Sequence, residues 1–154
     1  MDGGDGNDYL QSMRDSTLLG GAGDDEIWST DERSLVDGGA GNDIIYGAYK
    51  STLIGGEGND TFTIREGLTV IDNPPTLGSD NGNDVVQFNE VQAHYMFARD
   101  ADDLQVLDTD ALGGGELLRV KGWFLGEEYQ IEKFVFKDGV TVSSNDITQL
   151  ADGH

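Results

Sequence analysis

A nine-residue pattern that recurs four times in the first 63 residues is the strongest constraint on the fold of this chain. It consists of Gly-Gly-any-Gly-any-Asp-any-apolar-any, and its copies are Gly3–Gln11, Gly20–Trp28, Gly38–Tyr46 and Gly55–Thr63. Glycine readily adopts the positive φ angles that other residues avoid. The aspartate supplies a hard anionic oxygen, and the apolar residue two positions later anchors a short strand. The pattern therefore predicts tight, oxygen-lined turns that alternate with strands.

The interval between copies defines the repeating unit of the structure. The aspartates of the pattern, called the motif aspartates below, recur every 17 or 18 residues as Asp8, Asp25, Asp43 and Asp60. The apolar anchors keep this interval, and a second apolar set lies nine residues before the next anchor, at Leu18, Val36 and Leu53. One coil of about eighteen residues therefore carries two strands and two turns, and successive coils stack as a parallel β-roll.

The repeated sequence resembles the RTX, or haemolysin-type, calcium-binding nonapeptide. This resemblance implies an all-β, right-handed parallel β-roll with Ca²⁺ between successive turns. It implies that each motif aspartate binds through its carboxylate and that backbone carbonyls of the other motif positions complete the ligand shell. The implied ligands are Gly3, Gly4, Asp5, Gly6, Asn7 and Asp8, then Gly20, Gly21, Ala22, Gly23, Asp24 and Asp25, then Gly38, Gly39, Ala40, Gly41, Asn42 and Asp43, and finally Gly55, Gly56, Glu57, Gly58, Asn59 and Asp60.

The number of stacked turns sets the expected number of ions. Four turns enclose three gaps, so we expect about three sandwiched Ca²⁺ ions and one or two more at the ends of the roll. A partial fifth copy at Ser79–Phe88 lacks both leading glycines. Its Asp80 and Asp84 are candidate ligands of a terminal ion, and an Asx-rich turn without metal is the alternative interpretation.

The turns that join one copy to the next have a different composition. They lie at Ser12–Thr17, Ser29–Ser34 and Ala48–Thr52, lack glycine pairs, and carry Arg14, Arg33 and Lys50. Cationic side chains oppose a bound Ca²⁺. We therefore predict calcium along one edge of the roll and little or none along the other.

The charge of the chain favours folding that depends on cations. The formal net charge is −21, and residues 1–84 contain 17 acidic and 4 basic residues. Such a segment repels itself, and its glycine content and low hydrophobicity favour disorder without metal. The acidity argues against nucleic acid as a partner. The sequence contains no cysteine, no apolar run long enough to span a membrane and no signal-peptide pattern, and it opens almost directly on a repeat, which suggests a piece of a longer chain.

The second part of the chain has ordinary alternating strands. We predict a roll over residues 1–88 and a β-rich cap over residues 89–154, with strands at Tyr95–Arg99, Asp103–Leu107, Leu117–Val120, Tyr129–Phe136 and Val140–Val142. Ser143, with Asp146 three residues later, resembles a capping box that opens a short terminal helix. This part is similar to the domain that follows RTX blocks in type I secreted proteins, at Asp103–Leu104, Val120, Trp123–Phe124, Tyr129, Ile131 and Phe136.

No residue pattern points to catalysis. His94 has no companion nucleophile in a recognisable motif, and the pairs Asp102–Asp103 and Glu127–Glu128 are typical of turns or solvated faces. The sequence therefore predicts a noncatalytic calcium-binding module that is disordered without Ca²⁺. It would fold after type I secretion as part of a larger extracellular toxin, adhesin or exoenzyme. The alternative is a module that binds a host receptor, a glycan or a partner protein, with an aromatic patch around Trp123 as its expected signature.

Overall fold

The computed structural model describes residues 1–12, 14–30, 32–65, 67–74, 82–90, 92–110 and 115–153. About half of these residues form short strands, and one α-helix closes the described part of the chain. The strands are β1 (Asp2–Asp5), β2 (Tyr9–Gln11), β3 (Thr17–Ala22), β4 (Glu26–Trp28), β5 (Leu35–Ala40), β6 (Ile44–Gly47), β7 (Thr52–Glu57), β8 (Thr61–Ile64), β9 (Thr69–Ile71), β10 (Val85–Phe88), β11 (Tyr95–Asp100), β12 (Asp103–Asp108), β13 (Gly115–Val120), β14 (Lys133–Val135) and β15 (Thr141–Ser143); the helix is α1 (Ser144–Asp152).

The first ten strands form a parallel β-roll, as the sequence predicts. Odd-numbered strands stack in the order β1-β3-β5-β7-β9, and even-numbered strands stack in the order β10-β8-β6-β4-β2 in a second sheet. Each coil contributes one strand to each sheet, so that coil 1 contains β1 and β2 and coil 5 contains β9 and β10. All neighbouring strands within these two series are parallel.

The core of the roll lies between the two sheets and is filled by two apolar columns. Leu18, Val36 and Leu53 stand in register in one sheet, and the anchors Leu10, Ile27, Ile45 and Phe62 stand in register in the other. All seven side chains are buried. Because alternate residues of a strand point to opposite faces, one apolar residue per two positions is enough to cover the inner face. Burial of each such side chain contributes about 1.5–3 kcal/mol.

The strands after residue 88 continue both sheets of the roll. β13 pairs in parallel with β9, and β12 and β11 follow it as antiparallel strands. On the other side, β14 pairs in parallel with β10 and β15 completes that sheet. The cap thereby covers the last coil, whose strands would otherwise be open edges. The division into domains at residue 88 remains a prediction.

Two details of the cap bear on the sequence prediction. The predicted strand Tyr129–Phe136 is divided into a 3-10 turn at Glu127–Tyr129 and the shorter β14. Ser143 is the N-cap of α1, because its Oγ accepts a hydrogen bond from the Asp146 N–H at 3.3 Å. The reciprocal half of the predicted capping box differs, because Asp146 Oδ2 accepts from the Ser143 hydroxyl at 2.7 Å. Helices in the described ranges are all too short or too polar to cross a bilayer.

The aromatic residues of the cap form its core. Trp123, Phe134 and Phe136 are buried, and Phe124 packs against them in a partly buried position. Trp123 meets Phe134 edge to face at 5.7 Å between ring centroids, and its indole N–H donates to Thr148 Oγ1 at 2.9 Å. Since Trp123 is 0% exposed, it cannot form the surface patch expected of the alternative binding module.

Candidate metal site along the glycine edge

The turns at residues 3–8, 20–25, 38–43 and 55–60 stack along one side of the roll, which we call the glycine edge. The second glycines of the copies stand in register as Gly4, Gly21, Gly39 and Gly56, all with φ between +99° and +114°. A Cβ on Gly39 would lie within 3.0 Å of the carbonyl oxygen of Gly21. Gly21 and Gly56 meet the preceding coil in the same way. The backbone carbonyls therefore lie at the contact between coils, where side chains have no room.

The motif aspartates form a hydrogen-bonded ladder along this edge. The backbone N–H of each aspartate donates to Oδ1 of the aspartate in the next coil. The three distances from Asp8 to Asp25, from Asp25 to Asp43 and from Asp43 to Asp60 are 2.7, 2.8 and 2.9 Å. Asp25, Asp43 and Asp60 are each at most 2% exposed. The fold therefore stacks carboxylates one coil apart, about 4.8 Å, in a buried column.

The second oxygen of each motif carboxylate has no partner. Oδ2 of Asp8, Asp25, Asp43 and Asp60 is buried, and within the described ranges these four are the buried side-chain polar atoms that lack a hydrogen bond. Buried polar atoms are satisfied in most native structures, and an exception calls for an explanation such as an ion. A column of four equivalent exceptions indicates a repeated cation site.

The first glycine of each copy lets the motif carboxylate of the same turn lie close against the backbone. A Cβ on Gly20 would lie within 3.0 Å of both Asp25 Oδ2 and the carbonyl oxygen of Gly38. A Cβ on Gly38 would meet Asp43 Oδ2 and the carbonyl oxygen of Gly55, and a Cβ on Gly3 would meet Asp8 Oδ2 and the carbonyl oxygen of Gly20. In these three copies, glycine therefore keeps a carboxylate oxygen and a carbonyl oxygen close together, and Ca²⁺ prefers oxygen ligands of both kinds.

Burial makes the ionised form of the column carboxylates unfavourable when no cation is bound. It raises the pKa of Asp43 to about 6 and that of Asp60 to about 7, and neighbouring motif carboxylates add to both increases. The backbone N–H that each carboxylate accepts opposes the increase but does not cancel it. At neutral pH, a cation in the column would therefore stabilise the charged form.

A second ladder, which the sequence pattern did not reveal, runs beside the first. The side-chain oxygen at the fifth motif position accepts a hydrogen bond from the backbone N–H of the equivalent residue in the next coil. The accepting residues are Asn7, Asp24, Asn42 and Asn59, at 2.7 to 3.0 Å. The pattern treats this position as variable, yet all four copies have Asn or Asp there. The restriction of this position to Asn or Asp was the signal from which the second ladder could have been predicted.

The column continues into coil 5 and the cap. The Asp60 N–H donates to Asp84 Oδ1 at 2.9 Å, and the Asp84 N–H donates to Glu132 Oε2 at 2.7 Å. The sequence predicted Asp84 at this edge but missed Glu132, which lies 48 residues further along the chain. Burial raises the pKa of Asp84 to about 8. Asp80, the other candidate ligand of the partial copy, lies outside the described residues.

The opposite edge has hydroxyl groups in place of carboxylates, and we call it the serine edge. Ser12, Ser29, Ser34 and Ser51 are all buried there. The hydroxyls of Ser29 and Ser51 are 2.8 Å apart, so one donates to the other. Arg14, Arg33 and Lys50 form the corners of these turns with positive φ. The buried Ser29 and Ser51 hydroxyls are therefore satisfied by each other. The confinement of calcium to the glycine edge remains a prediction.

The described side chains do not form a metal-binding cluster at either edge. Among the described residues there is no group of three or more His, Cys, Asp or Glu side chains that could hold a metal. Backbone carbonyls would therefore supply most ligands at the glycine edge. His94 Nδ1 lies 3.1 Å from Asp110 Oδ2 in a partly exposed position, and Asp103 Oδ1 accepts a hydrogen bond from the Gly122 N–H at 2.9 Å, so both have structural partners.

Comparison with known families agrees with this geometry. The family model described as the RTX calcium-binding nonapeptide repeat (4 copies) matches residues 19–48 and 47–63. This chain is an RTX-repeat protein. The model of the haemolysin-type calcium binding protein related domain matches residues 111–146, which include β13, β14 and β15. No curated protein matches the chain. The RTX repeats make it a calcium-binding module of a haemolysin-type protein, and their β-roll is a structural rather than a catalytic fold.

Proposed function

We propose that this RTX module is a calcium-operated folding switch within a larger secreted protein. It is disordered where Ca²⁺ is scarce, passes a type I secretion channel in that state, and folds outside the cell to stabilise or present the rest of the polypeptide. The observation that carries the proposal is the column of four buried carboxylate oxygens without hydrogen-bond partners. RTX repeats are characteristic of secreted bacterial proteins, which supports the location.

The ions would lie between successive turns of the glycine edge. The motif aspartates would contribute Oδ2, and the carbonyls of residues 3–7, 20–24, 38–42 and 55–59 would complete the shell. We expect about three sandwiched ions, because each needs about six to eight oxygens and one turn cannot supply them.

The energies involved are large enough for a switch. At 1 mM Ca²⁺ and a Kd of about 10⁻⁴ M, binding to the folded state alone contributes about 1.4 kcal/mol per site. Three independent sites would contribute about 4 kcal/mol, which is close to the lower end of the usual stability of a whole domain. Extracellular calcium modules have Kd values of about 10⁻⁴ to 10⁻³ M, so such sites stay empty at the low free Ca²⁺ of a cytosol.

The test compares the purified chain in EDTA, in millimolar MgCl₂ and in millimolar CaCl₂. We expect a disordered far-ultraviolet circular dichroism spectrum in EDTA and Mg²⁺, and a β spectrum with a smaller hydrodynamic radius in Ca²⁺. An unchanged β spectrum in EDTA would contradict the proposal. Binding of a receptor or glycan remains a prediction without support from Trp123, which is buried in the cap.

A further inference from the structure

Coil 5 differs from the other coils at the position of the first motif glycine. Leu53 in β7 pairs with Ile71 in β9, so two residues later Asn73 stands opposite Gly55. Its side-chain Oδ1 accepts hydrogen bonds from the N–H groups of Gly55 and Gly56 at 3.0 and 3.1 Å. Asn73 therefore occupies in coil 5 the place that Gly55 occupies in coil 4.

The Asn73 side chain occupies the space that glycine leaves empty elsewhere. It is 6% exposed, and its Nδ2–H donates to Asp84 Oδ2 at 2.9 Å. Asp84 Oδ1 accepts from the Asp60 N–H, so both oxygens of this carboxylate have partners. The equivalent Oδ2 atoms of the four motif aspartates have none. An N–H group presents a positive dipole end to the carboxylate, as a cation does.

We propose that Asn73 terminates the calcium column: its carboxamide takes the place of the cation at the fifth carboxylate and closes that position to Ca²⁺. The inference rests on the proposed calcium binding at the first four turns. It assigns Asp84 a structural role as hydrogen-bond acceptor, instead of the ligand role that the sequence suggested. The coil that joins the roll to the cap is then held at this point without metal.

The decisive variant is Asn73→Gly, which restores the first motif glycine of the other copies, whereas Pro74 stays at the position of the second. We expect it to bind one more Ca²⁺ per chain than the wild type, measured by equilibrium dialysis with ⁴⁵Ca²⁺ and by isothermal titration calorimetry. Asn59→Gly is the matched control, because it removes an asparagine from the same edge at the fifth motif position, where the side chain bonds the Asn83 N–H. This control should be less stable and should bind no additional ion.

A second variant tests the same inference if Asn73→Gly fails to fold. Asp84→Asn should leave the number of bound ions at the wild-type value, whereas Asp43→Asn should lower it. A folded Asn73→Gly protein with unchanged stoichiometry, or an Asp84→Asn protein that loses an ion, overturns the inference and leaves the proposed function intact. A wild-type chain that binds no Ca²⁺ overturns both.

Discussion

Asp43→Asn should have opposite effects on the metal-free and the calcium-bound protein. Asp43 lies in the middle of the column, is 1% exposed, and has Oδ1 bonded to the Asp25 N–H at 2.8 Å and Oδ2 without a partner. Asparagine keeps the accepting oxygen. It replaces the anionic Oδ2 by a neutral NH₂ group. This position and the carbonyl oxygen of Gly55 both lie within 3.0 Å of the point where a Cβ on Gly38 would stand.

The gain in the metal-free state follows from the cost of the buried charge. Burial raises the pKa of Asp43 from 3.8 to about 6, and one pKa unit corresponds to about 1.4 kcal/mol, so the ionised carboxylate costs about 3 kcal/mol at pH 7. The variant removes this cost. With calcium, it loses an anionic ligand. A loss of about 1.4 kcal/mol or more of interaction corresponds to an at least tenfold weaker affinity of the folded state for Ca²⁺.

Two titrations, one followed by circular dichroism and one by calorimetry, measure these effects. In EDTA, the variant should fold at a lower concentration of trimethylamine N-oxide, an osmolyte that favours burial of surface. At a concentration of the osmolyte that folds both proteins, a calorimetric titration with CaCl₂ should show at least tenfold weaker binding by the variant. Asp15→Asn on the serine edge is the control, because the Asp15 side chain is 66% exposed and should move neither midpoint. Equal midpoints for Asp43→Asn and the wild type, or an equal response from Asp15→Asn, would refute the role assigned to the column.

Three further results follow from the same structure. Gly39→Ala should lower stability in calcium by at least about 2 kcal/mol in urea denaturation, because φ is +106° and a Cβ would collide with the carbonyl of Gly21. Gly115→Ala is the control and should be nearly neutral, because a Cβ there meets no atom of the described residues within 4 Å. In EDTA, the folded fraction should increase as the pH falls from about 7 towards 4. The raised pKa values of Asp43 and Asp60 make the folded chain bind protons more tightly than the unfolded chain. A circular dichroism titration in which folding is lost on acidification would contradict this prediction. Ser51→Ala should cost about 1–2 kcal/mol through its bond to Ser29 and leave the calcium stoichiometry unchanged, so an altered ion count would place metal on the serine edge.

The roll could be predicted from the sequence because the motif aspartates recur at a nearly constant interval of 17 or 18 residues, and this interval defines the register of the strands. Once Asp8, Asp25, Asp43 and Asp60 are known to stack, the apolar columns at Ile27 and Val36 follow, and the structure confirms both. Side-chain alternation leaves no other face for them. The predicted ligand set stays a prediction, although the unpartnered Oδ2 atoms agree with it.

The end of the roll could not be predicted because the interval breaks there. Asp84 follows Asp60 by 24 residues, so counting does not align Asn73 with Gly55. Only strand pairing between β7 and β9 reveals that alignment. Glu132 was hidden for the same reason, since it reaches the column through the pairing of β14 with β10. The predicted strand from Tyr129 was wrong at its start because that segment turns back, and Gln130 Nε2–H donates to the Trp123 carbonyl at 3.0 Å.

The two ladders have a consequence for how such a protein can change in length. In both, every bond joins a motif position to the same position one coil away, so the partners of a coil are interchangeable. Deleting residues 20–37 would bring the Asp8 N–H to Asp43 Oδ1 and the Asn42 N–H to Asn7 Oδ1, in place of the present bonds to coil 2. The remaining roll would be one coil, about 4.8 Å, shorter and would keep its bonding pattern. Gene duplication or loss in whole coils can therefore lengthen or shorten the roll without redesign of its ends.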